Sequence, residues 1–227
     1  MAGNPADSPE STRNQLQILV IADTQNDFEL RVRTLNEAQL NVSANYVATR
    51  DEFLRSLETA QYDIILSDYE IVGWSGLDAF EIVQERGADV PFILVTGRVG
   101  EEMAIECIRR GVTDVILKSN LSSLPWSVTR ALEDKKTRED RKRTEAALRK
   151  SERTFRVLAD SIASAVFIYE GTQCVYVNRT AQTLTGYSEK ELLLLNSWDL
   201  VHPDSRALAI ERSLARLKSG QSASSPW

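Results

Sequence analysis

Tyr62-Asp63-Ile64-Ile65-Leu66-Ser67-Asp68-Tyr69 is an apolar run that stops on a carboxylate, and the turn-rich Gly73-Trp74-Ser75-Gly76 follows it at once. A short apolar run bounded by turn residues reads as a strand buried on both faces, the form strands take in parallel sheets. Asp68 then stands at the carboxyl end of a central strand, the edge of an open α/β sheet where ligands bind.

Working outward, the same pattern recurs. Toward the N-terminus, Leu16 to Ile21 is an apolar strand ending at Ala22-Asp23, and Asp27 to Gln39 carries Phe28, Val32, Leu35 and Ala38 at helical spacing. A strand over Asn41 to Val47 leads into Thr49-Arg50-Asp51-Glu52, a capping box that opens a helix with Phe53, Leu54, Leu57 and Ala60 on one face. Beyond Asp68, Gly76 opens a helix with Leu77, Phe80 and Val83 inward, and Gly87 ends it. Pro91 to Val95 is the next strand and stops at Thr96-Gly97. A helix with Ala104, Ile105 and Ile108 inward follows, stopped by Gly111, and Asp114 to Leu117 is the last strand, stopping at Lys118-Ser119. Five strands alternating with helices predict a doubly wound, five-stranded parallel α/β sheet over residues 15–132. Residues 1–14, rich in Ser, Pro, Asn and Asp, read as a flexible tail.

After Pro125 there is no Gly or Pro until Gly171. Residues 133–153 mix acids and bases and carry a broken apolar heptad, which predicts a long helical linker. A polar helix of this length gains little stability alone, so pairing with a second copy, a homodimer, is the expectation. Residues 154–227 read as a second, α+β unit. Ala165 to Tyr169, Gly171-Thr172 and Gln173 to Val177 form a hairpin. Asn178 to Thr185 is helical, Ser188 to Glu191 is a second capping box, and Arg206 to Lys218 is a further helix.

The totals limit what the chain does. Its 227 residues allow two domains, and a net charge of -6 argues against non-specific binding to nucleic acid or anionic membrane. Cys107 and Cys174 lie far apart and suit a reducing, cytoplasmic setting rather than a disulfide framework. No run of about 18 apolar residues would cross a bilayer.

With strand order 2-1-3-4-5, Asp23 and Asp68 end neighbouring strands about 4.8 Å apart. Two carboxylates so close repel unless a cation lies between them, and with a backbone carbonyl they suit Mg²⁺. One carboxylate then acts as a nucleophile toward a phosphoryl group. Thr96 and Lys118 end the next two strands at the same rim and are placed to bind phosphoryl oxygens. The turn Asp23-Thr24-Gln25-Asn26-Asp27 lacks the glycines of a dinucleotide loop, which disfavours a flavin- or nucleotide-binding reading.

These residues resemble a response-regulator receiver domain of flavodoxin-like fold. Asp68 in Leu66-Ser67-Asp68-Tyr69 matches the phosphoacceptor, Thr96 the switch hydroxyl, Lys118 the lysine and Asp23 one member of the acidic pair. The resemblance implies a histidine kinase or phosphotransfer protein as partner, and Mg²⁺ held by Asp23, Asp68 and the Glu70 backbone carbonyl. It departs at Ala22, where a second acid is usual, at Val72 and Ser119, each in place of a Pro, and at Val115, in place of an aromatic switch residue. Asp27 falls on the first helix and is not expected as a ligand. From residue 154 the chain resembles the start of a PAS sensory domain, through Tyr176-Val177-Asn178, Leu184-Thr185-Gly186-Tyr187-Ser188 and Asp199-Leu200-Val201-His202-Pro203-Asp204. This resemblance names no ligand, and His202, the sole histidine, reads as a loop residue rather than a metal or haem ligand. The family's last three strands have no counterpart, which points to a piece of a longer protein or completion by another chain. No kinase or cyclase motif is present, and a histidine kinase or diguanylate cyclase is what such a parent would be. The rival expectation is a pseudo-receiver that never carries phosphate and serves as a dimerisation scaffold.

Overall fold

The computed structural model describes residues 15–97 and 101–219; the tail expected over residues 1–14 lies outside them. The chain divides into two compact units, one up to Lys142 and one from Arg143.

The first unit is built on β1 (Leu16–Ile21), β2 (Val42–Val47), β3 (Ile64–Asp68), β6 (Phe92–Thr96) and β7 (Asp114–Leu117). They pair in the order β2-β1-β3-β6-β7, all parallel, as the alternation of apolar runs and helices predicts. β4 (Glu70–Ile71) and β5 (Trp74–Ser75) form a small antiparallel hairpin directly after Asp68, a feature with too few residues to leave a periodic signal. Helices α1 (Gln25–Glu37), α2 (Arg50–Thr59), α3 (Gly76–Glu85) and α4 (Glu101–Arg110) connect the strands. β3 and β6 are buried along their whole length, because an apolar core lies on each face of the sheet.

Local signals fix the helix starts. The capping box of Thr49 and Glu52 closes reciprocally, and Ser75 and Asp78 form a second one before α3. Gly76 has no room for a side chain: a Cβ there would lie 2.3 Å from the Asp68 carbonyl oxygen and 2.5 Å from Leu94 Cδ2. The missing Cβ therefore lets α3 begin against the end of β3.

Two expected helix faces are corrected. In α4 Ile105 and Ile108 are exposed, and Cys107 is the buried residue with Ala104 beside it. The small pair three residues apart faces inward, and at about 100° per residue the isoleucines turn outward. In α1 Phe28, Val32 and Leu35 pack on the core as expected, but the helix ends at Glu37, so Ala38 is its exposed C-cap, and Arg31 is buried with them.

After β7 the chain makes a 3₁₀ turn over Lys118–Ser123 and enters α5 (Leu124–Ser161), 38 residues long. There is no cis peptide bond among the described residues. Leu124, Val128 and Ala131 complete the core beneath the sheet. Farther along, Lys142 Nζ and Arg138 Nη2 reach Asp89 at 3.0 and 3.6 Å.

The second unit has β8 (Phe167–Glu170) and β9 (Gln173–Val177) as an antiparallel hairpin, then α6 (Arg179–Thr185), α7 (Glu189–Leu192) and α8 (Pro203–Ser219). Its core is small, formed by Cys174, Val177, Ala181 and Leu192. Asn178, fully buried, holds it together by making four hydrogen bonds. Its Nδ2 donates to the Ala159 and Ser164 carbonyls, and its Oδ1 accepts from Val166 N–H and Ala181 N–H, each at 2.9 Å. That is the full capacity of an amide side chain, two donor hydrogens and two oxygen lone pairs. His202 lies in an exposed loop with Asp204 Oδ2 at 3.5 Å from its Nδ1.

Candidate functional site

The site lies at the carboxyl edge of the five-stranded sheet, where register brings the expected residues together. Ile21 pairs with Ser67, Asp68 with Val95 and Thr96 with Leu117, so the ends of β1, β3, β6 and β7 form one rim. Asp68, 1 % exposed, is at its centre. Its Oδ1 is 3.0 Å from Lys118 Nζ, and its Oδ2 accepts from the Asp23 N–H at 3.4 Å. Thr96 closes β6 and is buried. The Asp23 carboxylate turns toward the β4–β5 hairpin, where its Oδ1 accepts the Val72 N–H at 2.9 Å. Glu70 opens β4, paired with Ser75, and its side chain is exposed.

Two contacts are new relative to the sequence reading. Asp27, set aside as a helix residue, accepts from Lys118 Nζ at 2.9 Å and so shares the ammonium with Asp68. Burial pushes the Asp27 carboxyl up, but the Lys118 hydrogen bond and the Lys118 and Arg31 charges bring it below the usual carboxylate range. Lys118 moves the opposite way: burial opposes its charge, and the two carboxylates outweigh that and raise it. Arg31, also 1 % exposed, donates from Nη2 to Asp68 Oδ1 at 2.5 Å and from Nη1 to the Ile21 carbonyl at 3.3 Å. The signal for it was present, since Arg31 lies three residues after Phe28 and four before Leu35, inside the inward stripe of α1. Arginine is so rarely buried that the position reads as solvated unless its partner is known.

The donors present fit a divalent ion poorly. Ala22 offers no oxygen from its side chain, one Asp23 oxygen is engaged by Val72, and Asp68 Oδ1 already faces two cations. Among the described residues no group of three or more His, Cys, Asp or Glu side chains is arranged to hold a metal.

Residues 18–124 match the family model of the response regulator receiver domain. The first unit is a receiver domain. Residues 153–226 match the PAS fold, a match that runs past the described residues. Over 124 residues the chain is 35% identical to the C4-dicarboxylate transport transcriptional regulatory protein DctD of Pseudomonas aeruginosa, covering 52% of this chain and 26% of that one. The sensor histidine kinase TmoS of Ectopseudomonas mendocina is 23% identical over 249 residues, covering 96% of this chain and 25% of its own. The chain thus spans about a quarter of the length of each. Among solved structures, the signal receiver domain of a LuxO repressor protein from Vibrio parahaemolyticus superposes with a TM-score of 0.51 at 19% identity, covering 55% of this chain and 95% of that one. That likeness bears on the fold. The chain therefore joins a receiver domain to a PAS region and belongs to two-component signalling. Among the described residues no helix is long and apolar enough to cross a membrane.

Proposed function

We propose that Asp68 accepts a phosphoryl group and that the change is relayed through α5 to the PAS region. The observation that supports this most directly is the convergence on one buried carboxylate of Lys118 at 3.0 Å, with Thr96 ending the adjacent strand. The donor is a phosphohistidine on a histidine kinase or phosphotransfer protein. An Asp68 carboxylate oxygen forms the new P–O bond, the P–N bond of the donor breaks, and the imidazole leaves with the electron pair and takes up a proton. Oδ2 is the oxygen for this step, since Oδ1 holds Lys118 and Arg31. Lys118 then offsets charge on the phosphoryl oxygens, and the Thr96 hydroxyl serves as a further donor. Asp68 is buried, so the donor reaches it only when the rim opens.

The relay element in this reading is α5, working as a homodimer in a cytoplasmic protein. Leu148, Phe155 and Leu158 of α5 are all exposed, and their spacing of seven and three residues places them on one coiled-coil seam. Incubating the protein with a small-molecule phosphodonor and weighing it intact tests the acceptor. The gain of one phosphoryl group in the parent and none in Asp68→Asn is expected.

A second reading is the pseudo-receiver that acts as a dimerisation scaffold. The buried Arg31–Asp68 bridge favours it, because both partners are closed off from solvent. No mass gain, under conditions that modify a control receiver, would select it.

A further inference from the structure

Arg31 is a charged side chain delivered to the site from the middle of a helix rather than from a loop. Its guanidinium lies across the ends of β1 and β3, bound to the Ile21 carbonyl and to Asp68 Oδ1. Taking an ion out of water is costly, and the cost is recovered only through close, well-directed partners. An arginine one position away on α1 would be solvated at no such cost, so the burial belongs to the pairing with Asp68. Guanidinium does not deprotonate in proteins, so this positive charge is permanent.

Ala22 completes the picture. It is fully buried beside Asp23, a methyl group where a second carboxylate would compete for the guanidinium. With Ala22 in place, Arg31 bridges to Asp68. Lys118 touches the same Asp68 oxygen, so a divalent ion brought to that oxygen meets two cations in a poorly solvated space.

We propose that Arg31 is the resident cation of the site: it supplies the charge for which receiver domains otherwise recruit a divalent ion, and Asp68 takes up a phosphoryl group without Mg²⁺. The second half of this statement rests on the phosphoacceptor reading above; the first half does not. Removing Arg31 reopens the place beside Asp68 and Asp23 to a divalent ion.

The test uses the full chain and two readouts. Mn²⁺ titrated into the wild-type protein leaves the amide NMR signals around Asp68 unbroadened, whereas Arg31→Ser, alone or with Ala22→Asp, broadens them. With a small-molecule phosphodonor, chelating Mg²⁺ changes the wild-type rate by less than about twofold and slows Arg31→Ser by about tenfold, equivalent to about 1.4 kcal/mol in the barrier. Mn²⁺ broadening around Asp68 in the wild type, or a wild-type rate that collapses on chelation, overturns the proposal. If no form takes up phosphate, the phosphoacceptor reading fails while the Mn²⁺ titration still decides on Arg31. If the variants do not fold, the wild-type titration decides alone.

Discussion

Each unit of this chain buries polar groups, and it does so in opposite ways. The receiver domain buries an ion pair, Arg31 with Asp68, and leaves Lys118 partly exposed against the same carboxylate. The second unit buries a neutral amide, Asn178, with both its donor hydrogens and its acceptor oxygen used on backbone groups. An amide satisfied by its own chain is a structural tie: it fastens the end of α5 to the end of β9 and caps α6. A buried charge depends on its partner and responds to any new charge that arrives, so the ionic pair is the one suited to a switch.

The largest expected effect separates the two directly. Arg31→Ala leaves Asp68 with Lys118 as its remaining cation, and Asp68→Ala leaves the guanidinium buried without its carboxylate. Each is expected to cost the receiver domain about 3–5 kcal/mol in denaturant unfolding. A loss below 1 kcal/mol would mean that water enters and the site is not closed. Replacing both with apolar residues of similar volume is expected to recover most of that loss.

Asn178→Ala comes next, at about 2–3 kcal/mol, because it removes an N-cap and strands buried backbone groups. Asn178→Asp sharpens the contrast. It keeps the acceptor toward Val166 and Ala181 but points a carboxylate oxygen at the Ala159 and Ser164 carbonyls, so its defect is expected to ease at acid pH, where protonation restores one donor. A thermal melt at two pH values reads this.

A smaller effect is the pH dependence of the Asp27–Lys118 contact. Asp27 is held below its usual 3.8, so its contribution is present above that pH and is lost as pH falls through the depressed value. Lys118 is raised above 10.5, so its contribution is full below that pH and is lost as pH rises through the raised value. Receiver stability is therefore expected to be flat through neutrality, and Asp27→Asn should remove its share of the acid limb and also part of what raises Lys118 on the alkaline limb. The smallest effect is Asp89→Asn, at most about 1 kcal/mol, since its pairs with Lys142 and Arg138 are at the surface.

The architecture was legible because each strand is a continuous apolar run and most helices announce their start with a cap. The common rim of Asp68, Thr96 and Lys118 was legible because they terminate such runs. Arg31 was missed for a definite reason: helical periodicity marks a face, but a charge on that face acquires meaning only from a partner 37 residues away. Asp27 escaped in the same way, its Lys118 partner being 91 residues distant. Ile105 and Ile108 misled because large apolar residues outweigh Ala104 and Cys107 in any hydrophobic pattern, although the smaller pair lets the helix approach the sheet.

β6 has one property that follows from its position alone. It is a fully buried strand of five residues, Thr96 finishes it at the carboxylate rim, and Asp89, which pairs with Lys142 of α5, stands a short way before its beginning. Asp68 and the departing helix are therefore approached from opposite tips of one buried strand, and a tilt too small to disturb its hydrogen bonds would register at both.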